Sequence, residues 1–227
     1  MPTAQWNNVK TNFKTNFYNP DYEFRELSPA QFERAKSLRT SLNWRAEFAE
    51  LNWTHPSNDD KRNAIVKHFG AFDKNNPSVC IGVLSLIQMD LLEPHRKVVE
   101  ASFSKEEVDL LFKSNNKWQF YSVSIDPTHR HRNISDGLLN KALQFIHKEM
   151  RTSSLSQQPL ILFCNADYKD NAFSGNAAYK KFGQFLEGDK FPGTYLSASK
   201  TMVPMVIVNP DQKPFEPKHR PNFAAKL

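Results

Sequence analysis

A run of four basic residues, His129 to Arg132, is the feature of the sequence with the clearest chemical meaning. It follows an apolar, strand-like stretch that ends at Asp126-Pro127, and it precedes a helical pattern that begins at Ile134. The first N–H groups of a helix lack intrahelical acceptors and lie at the positive end of its dipole, so they favour a bound anion. Arginine side chains at the same place add charge-assisted hydrogen bonds. These features together indicate a phosphate site where the loop meets the helix.

The surrounding sequence predicts the elements that must position this loop. Strand-like patterns cover Tyr22–Leu27, Asn63–Asp73, Val79–Met89, Trp118–Ile125, Pro159–Asn165 and Thr201–Val208. Helical patterns cover 28–42, Trp44–Trp53, a short segment after the capping box Ser104–Glu107, Ile134–Met150 and Asn171–Phe182. This order predicts an α/β (mixed α+β) fold, in which a mixed sheet carries helices on both faces. We expect an N-terminal extension over 1–20, a single domain over 21–208 with an insertion at 91–117, and a proline-rich tail over 209–227.

The loop and its flanks resemble the pyrophosphate loop of the GNAT superfamily of N-acetyltransferases. In that pattern an Arg or Gln is followed by x-x-Gly-x-Gly or Ala; here Arg130 comes first, and Asn133 and Ser135 stand at the glycine positions. The chain departs from the pattern because no glycine lies between Gly82 and Gly137. Asparagine tolerates left-handed backbone angles and serine is small, so the loop can keep its shape at some cost.

This resemblance implies a splayed GNAT sheet that binds acetyl-CoA, or another acyl-CoA, where its fourth and fifth strands separate. The cofactor-binding positions that it implies are Val123, Ile125, Arg130, His131, Arg132, Asn133, Ile134, Ser135 and Asn171. Val123 and Ile125 would contact the pantetheine arm and the carbonyl through their main chain. We expect the two central strands to diverge beyond Ile125 and Asn165.

The segment from Leu160 to Phe185 is similar to the end of a GNAT domain, where a buried strand leads to Asn, a small residue and then Tyr–x–Lys–x–Gly–Phe. Asn171 and Tyr179 take the places of that Asn and Tyr, although Gln184 separates the final Gly and Phe. In the family this tyrosine often protonates the departing thiolate, which a phenol can do because the two pKa values lie within about two units. The alternative for Tyr179 is a core-facing helix residue with a hydrogen-bonded hydroxyl.

The implied reaction is direct attack of an amine, on a small molecule or a protein, at the thioester carbonyl. The amine must lose a proton to a carboxylate, a histidine or a water chain. Candidate groups are Glu47, Glu50, Asp59, Asp60 and His68, with Tyr121, Ser122 and Asn165 as residues that could hold a water. His129 and His131 have the spacing of metal ligands, but no third ligand is placed near them, so we predict no metal.

The composition limits the classes of function. A net charge of +6 and a pI of about 9.2 imply affinity for anions without choosing among nucleic acid, a membrane surface and a phosphorylated cofactor. No apolar stretch reaches the ~20 residues of a membrane span, and the N-terminus lacks a signal-peptide pattern. Cys80 and Cys164 lie in apolar runs, so we expect two buried thiols in a cytoplasmic protein, with one disulfide as the alternative.

Four other interpretations remain open. The missing glycines allow a degenerate GNAT module that binds CoA or a partner without turnover, or a basic helix entry with no ligand. The net charge allows a nucleic-acid binder, but the sequence has no aromatic–basic strand motif or recognition helix. An acyl-homoserine-lactone synthase would share the fold, but its N-terminal acidic and tryptophan pattern is not clearly present.

Overall fold

The computed structural model describes residues 17–28, 30–31, 35, 38, 65–152, 155, 158–167, 185–195, 198–209 and 218–219. The predicted helices at 44–53 and 171–182 lie outside these ranges. So do six residues with predicted roles: Glu47, Glu50, Asp59, Asp60, Asn171 and Tyr179. The domain bounds therefore stay a prediction.

Ten strands and three helices are described. The strands are β1 (Phe17–Tyr18), β2 (Tyr22–Glu26), β3 (Val66–Asp73), β4 (Asn76–Gln88), β5 (Lys117–Ile125), β6 (Leu160–Asp167), β7 (Leu186–Glu187), β8 (Phe191–Tyr195), β9 (Ala198–Asn209) and β10 (Lys218–His219). The helices are α1 (Glu93–Ser102), α2 (Lys105–Lys113) and α3 (Ile134–Thr152), with a 3-10 turn at Pro127–His129. No helix within the described ranges has the length and apolar character needed to cross a membrane.

The chain divides into two compact units. We call one the loop unit, which consists of Thr15–Ile87, Tyr121–Phe145 and Glu216–Leu227. The other, the insertion unit, consists of Met1–Lys14, Gln88–Phe120 and Ile146–Phe215. β5 contributes its first residues to the insertion unit and its last residues to the loop unit.

In the loop unit, β2, β3 and β4 form an antiparallel sheet to which the end of β5 is added beside β4. The turn between β3 and β4 is shorter than the predicted Lys74–Pro77, because β4 already begins at Asn76. The Asp73 carboxylate stabilises it by accepting the N–H of Asn75 at 2.8 Å. After β5, the N–H of Asp126 donates to the Ile81 carbonyl at 2.8 Å, which fixes where the basic loop begins.

Helix α3 packs its apolar stripe on this sheet, as the 3.6-residue spacing predicted. Ile134, Leu138 and Leu139 are buried at its start. Two glycines permit the close approach: a Cβ on Gly82 would lie 3.1 Å from Ile134 Cγ2, and a Cβ on Gly137 would overlap the ring of Phe24. The packing fixes the first turn of α3, and with it the end of the basic loop.

A small apolar cluster lies on the same unit. It contains Leu27, Phe72 and Val83, together with Ala35 and Leu38 from the predicted helix at 28–42. The described residues of that segment, 30, 31, 35 and 38, are helical, which confirms the prediction for that part of it.

The insertion unit contains the predicted buried strand, β6. Ile161–Phe163 pair in parallel with Lys117–Gln119 of β5, and the other edge of β6 pairs antiparallel with β9 along its length. The parallel register stops at Phe163, before the positions at which the sequence predicted divergence. β7 and β8 both pair with β9.

The insertion at 91–117 contains two helices, although the sequence predicted one. The capping box before α2 is confirmed: the Ser104 N–H donates to Glu107 Oε2 at 2.8 Å, and the Glu107 N–H donates to Ser104 Oγ at 3.4 Å. Helix α1 was missed because only two residues of its buried face, Val98 and Val99, are apolar, and the third, His95, is a polar type in the sequence. Both valines pack against the β6–β9 core of the insertion unit.

Both cysteines are free thiols. Cys164 on β6 is fully buried, as predicted. Cys80 on β4 is half-buried, so the prediction was wrong for that residue; its thiol donates to the Gly82 carbonyl at 3.2 Å.

Candidate functional site

The loop between β5 and α3 turns through two left-handed residues. His131 has a φ of 63° and Asn133 a φ of 57°, and no other described non-glycine residue has a positive φ. This conformation costs most L-residues roughly 1–2 kcal/mol, and asparagine is one of the few that adopt it routinely. Asn133, which stands at a glycine position of the resembled loop, therefore takes a backbone conformation that suits glycine. The left-handed His131 was not predicted.

Asn133 is followed directly by the first turn of α3. The Gly137 N–H donates to the Asn133 carbonyl at 3.2 Å. This is the first hydrogen bond of the helix. The N–H groups of Ile134 and Ser135 precede it in the chain and have no acceptor within the helix. They are thus placed to donate to an anion, although Asp136 puts one negative charge in the same turn.

Asp126 holds the start of the loop. Its Oδ1 atom accepts the Thr128 hydroxyl at 2.6 Å and the Thr128 N–H at 2.9 Å, which caps the 3-10 turn. These two hydrogen bonds lower the pKa of the Asp126 carboxyl below its usual value, and the charges of His129 and Arg130 act in the same direction. Asp126 therefore stays ionised, and its carboxylate accepts both hydrogen bonds from Thr128 within the turn.

Tyr22, at the start of β2, contacts the loop from the side. Arg132 Nη1 donates to the Tyr22 hydroxyl at 3.2 Å, and the same hydroxyl lies 3.3 Å from His129 Nδ1. The rings of Tyr22 and His129 meet edge to face, with centroids 5.9 Å apart. Sequence reasoning missed Tyr22, because nothing in a strand over 100 residues earlier signals a contact with this loop.

The structure brings most of the predicted binding positions together in the loop unit. Val123 and Ile125 lie on β5, just before the loop, and are half-buried. Arg130, His131 and Arg132 are exposed. Ser135 lies inside the first helical turn and is half-buried. Asn171 and Tyr179 are not among the described residues, so their placement stays a prediction.

The candidate base and water-holding residues give a mixed result. His68 on β3 is half-buried, with Nδ1 2.9 Å from Ser85 Oγ on β4. In the insertion unit, Asn165 at β6 has a buried side-chain oxygen with no hydrogen-bond partner among the described residues. Tyr121 is half-buried on β5. Within the part of the chain that the structure describes, no group of three His, Cys, Asp or Glu could hold a metal.

His95 on α1 is a buried titratable group that the sequence did not single out. Its Nε2 atom lies 3.0 Å from the Cys164 carbonyl on β6, so this nitrogen carries the proton and donates. Its ring meets Phe163 edge to face at a centroid distance of 4.8 Å. Burial lowers the pKa of His95 from 6.5 to about 4, although the bond to Cys164 opposes the shift. The imidazole is therefore neutral at pH 7.

The left-handed conformation at Asn133 predicts a distinctive response to substitution. Asn133→Val should lower the free energy of unfolding by about 1–2 kcal/mol, because a β-branched residue fits this region poorly. Asn133→Gly should change it by less than about 1 kcal/mol, because relief of strain offsets the added freedom of the unfolded chain. Thermal unfolding measures both, at about 2–4 °C per kcal/mol for a chain of this size.

Asn115 provides the matched control, since it is exposed and its φ is not positive. Glycine should be no better tolerated than valine there. The same order of stability at both positions would contradict the interpretation of Asn133.

Comparison with known proteins supports the architecture. No family model matches the sequence, and no curated protein matches it. A solved structure of a mutant spermidine N-acetyltransferase from Vibrio cholerae is similar in fold, with a TM-score of 0.50 and 15% identity over 84% of this chain and 95% of that chain. A candidate acetyltransferase from Acinetobacter baylyi has a TM-score of 0.50 and 13% identity over 88% of this chain and 98% of that chain. At such identity the likeness concerns the fold, and it confirms the predicted fold class.

Proposed function

We propose that this chain, which has the GNAT acyl-CoA N-acyltransferase fold, transfers an acetyl group from acetyl-CoA to an amine. The observation that carries the proposal is the left-handed Asn133 directly before the first turn of α3. It supports a loop whose main-chain N–H groups turn toward a pyrophosphate even though the glycines of the resembled pattern are missing.

We propose that main-chain N–H groups at the start of α3, rather than the net charge of the loop, determine phosphate binding. Arg130 and Arg132 are balanced by the carboxylates of Asp126 and Asp136, so the loop has little net charge when its histidines are neutral. Asp126 is already engaged by Thr128, which leaves the two arginines as donors toward an anion. We propose that the N–H groups of Ile134 and Ser135 and the loop side chains bind the pyrophosphate, as Val123 and Ile125 bind the pantetheine arm.

The reaction would proceed by direct attack. The amine nitrogen forms a bond to the thioester carbonyl carbon, the carbon–sulfur bond breaks, and CoA leaves as a thiolate. We propose Tyr179, on the strength of its place in the sequence motif, as the acid that protonates this thiolate. The proton lost by the amine passes to a base that we do not assign.

The acceptor is proposed only by class, an amine on a small molecule or a protein. The Vibrio cholerae protein is named for spermidine, a polyamine. The net charge of +6 on this chain does not favour steering of a polycation, so we do not extend that acceptor to it. We propose a cytoplasmic location, because two free thiols fit a reducing compartment.

A second candidate is a GNAT module that binds acyl-CoA without turnover. The absence of any glycine between Gly82 and Gly137 favours it. Both candidates predict CoA binding, and only the enzyme predicts release of CoA when amines are supplied.

Arg130→Glu should weaken acetyl-CoA binding by about 1–3 kcal/mol, the range for a charge-assisted hydrogen bond. The loss should shrink as salt is added, because the exposed charge is screened. Calorimetric titration of both proteins with acetyl-CoA at low and high salt measures it.

Lys105→Glu is the control, since it makes the same charge change at an exposed residue of the insertion unit with no proposed role. It should leave affinity within about twofold of the natural protein. Equal weakening in both variants would show a general charge effect, and unchanged affinity in Arg130→Glu would remove Arg130 from the site.

A further inference from the structure

We infer that Tyr22 is a positioning residue for the basic loop: its hydroxyl holds Arg132 and His129 in place for the phosphates of acetyl-CoA. The inference rests on the proposed function. It adds a residue from β2 to a site that the sequence located only between β5 and α3.

The donor and acceptor chemistry of the side chains fixes the direction of the hydrogen bond between Arg132 and Tyr22. A guanidinium can only donate, so at 3.2 Å the Tyr22 oxygen accepts from Arg132 Nη1. The phenolic proton is then available for His129 Nδ1 at 3.3 Å. When that proton is donated, the ring proton of neutral His129 lies on Nε2, which leaves that nitrogen as a donor.

Tyr22 is buried, whereas Arg130, His131 and Arg132 of the loop are exposed. Its residue is only 4% exposed, and β2 is paired with β3 from Tyr22↔Asp73 onward. Arg132 is exposed and would otherwise lose much of its rotamer freedom when it binds an anion. The hydrogen bond to Tyr22 already restricts the Arg132 side chain in the free protein, so less conformational entropy is lost when the ligand binds. This preorganisation raises affinity.

The contact leaves Arg132 able to bind phosphate. A guanidinium has five N–H donors, and the bond to Tyr22 uses only one nitrogen. The structure therefore assigns Arg132 as the oriented cation of the loop.

Tyr22→Phe tests the inference, because it keeps the ring and removes only the hydroxyl. Calorimetric titration should show acetyl-CoA and inorganic pyrophosphate each binding about 5- to 10-fold more weakly, the usual effect of losing one hydrogen bond. A double-mutant cycle with Arg132→Ala gives the readout that a merely structural role would not move. If Tyr22 acts through Arg132, Tyr22→Phe should have little further effect on affinity in the Arg132→Ala background.

A ligand-free measurement complements the titrations. The ¹⁵N shifts of the His129 ring in the natural protein should show an accepting Nδ1 and a protonated Nε2, and Tyr22→Phe should disturb that pattern. Pyrophosphate binding that depends on Tyr22, without binding of acetyl-CoA, would reject the proposed function and keep this inference. Unchanged affinities in Tyr22→Phe, additive effects in the cycle, or no binding of either ligand to the natural protein would overturn it.

Discussion

Replacing Tyr179 with phenylalanine is expected to lower kcat for acetyl transfer by about 100-fold or more, the lower end of what a general acid contributes. The substitution keeps the ring and removes the only proton that the side chain can give to the CoA thiolate. The Kd for acetyl-CoA should stay within about twofold, because the phenol acts in the transition state rather than in binding. Steady-state kinetics with a panel of amines, together with calorimetric titration, measure both quantities.

Tyr22→Phe is the matched comparison, since it removes the same group from a residue proposed to act in binding. It should raise the Kd and spare kcat, which is the opposite pattern. A Tyr179→Phe enzyme with normal kcat would assign the tyrosine to the core-facing alternative. A natural protein that binds acetyl-CoA tightly but releases no CoA with any amine would favour the module without turnover.

The sequence predicted the central fold well where periodicity is strong. Helix α3 has its apolar residues at helical spacing and was predicted from Ile134, where the structure begins it. β6 was predicted because an unbroken apolar run suits a strand buried on both faces. Helix α1 was missed because its short buried face includes the polar His95 beside two valines, and because the helix begins after Leu92 without a capping side chain.

The candidate site was predictable only where it is local in sequence. Asn133 could be assigned to a glycine position because asparagine tolerates a left-handed backbone, and its φ of 57° agrees. The left-handed His131 was not predicted: histidine is enriched at positive φ, as asparagine is, but His131 does not stand at a glycine position of the resembled loop. The contact from Tyr22 is long-range, and it depends on the sheet pairing and on the packing of α3 against β2 and β4.

The lowered pKa of His95 could not be predicted from the sequence either, because the residues that bury its ring lie on β6, which is distant in the chain. A neutral, buried His95 should make the protein lose stability on acidification. The pKa is about 4 in the folded protein against 6.5 when exposed, so the unfolded chain binds the proton more readily. The contribution is therefore complete above about pH 6.5, falls as the pH drops toward 4, and amounts to roughly 3 kcal/mol. Urea unfolding at a series of pH values between 7.5 and 4 measures it.

His95→Gln should remove this part of the pH dependence, because a glutamine amide can donate to the Cys164 carbonyl without titrating. His68→Gln is the matched control at a half-buried histidine, and it should keep the decline seen in the natural protein. The contribution of Asp126 does not affect the comparison, because its pKa is lowered from 3.8, most of its contribution is lost below that pH, and both variants retain it. An unchanged slope between pH 6.5 and 4 in His95→Gln would contradict the lowered pKa of His95 in the folded protein.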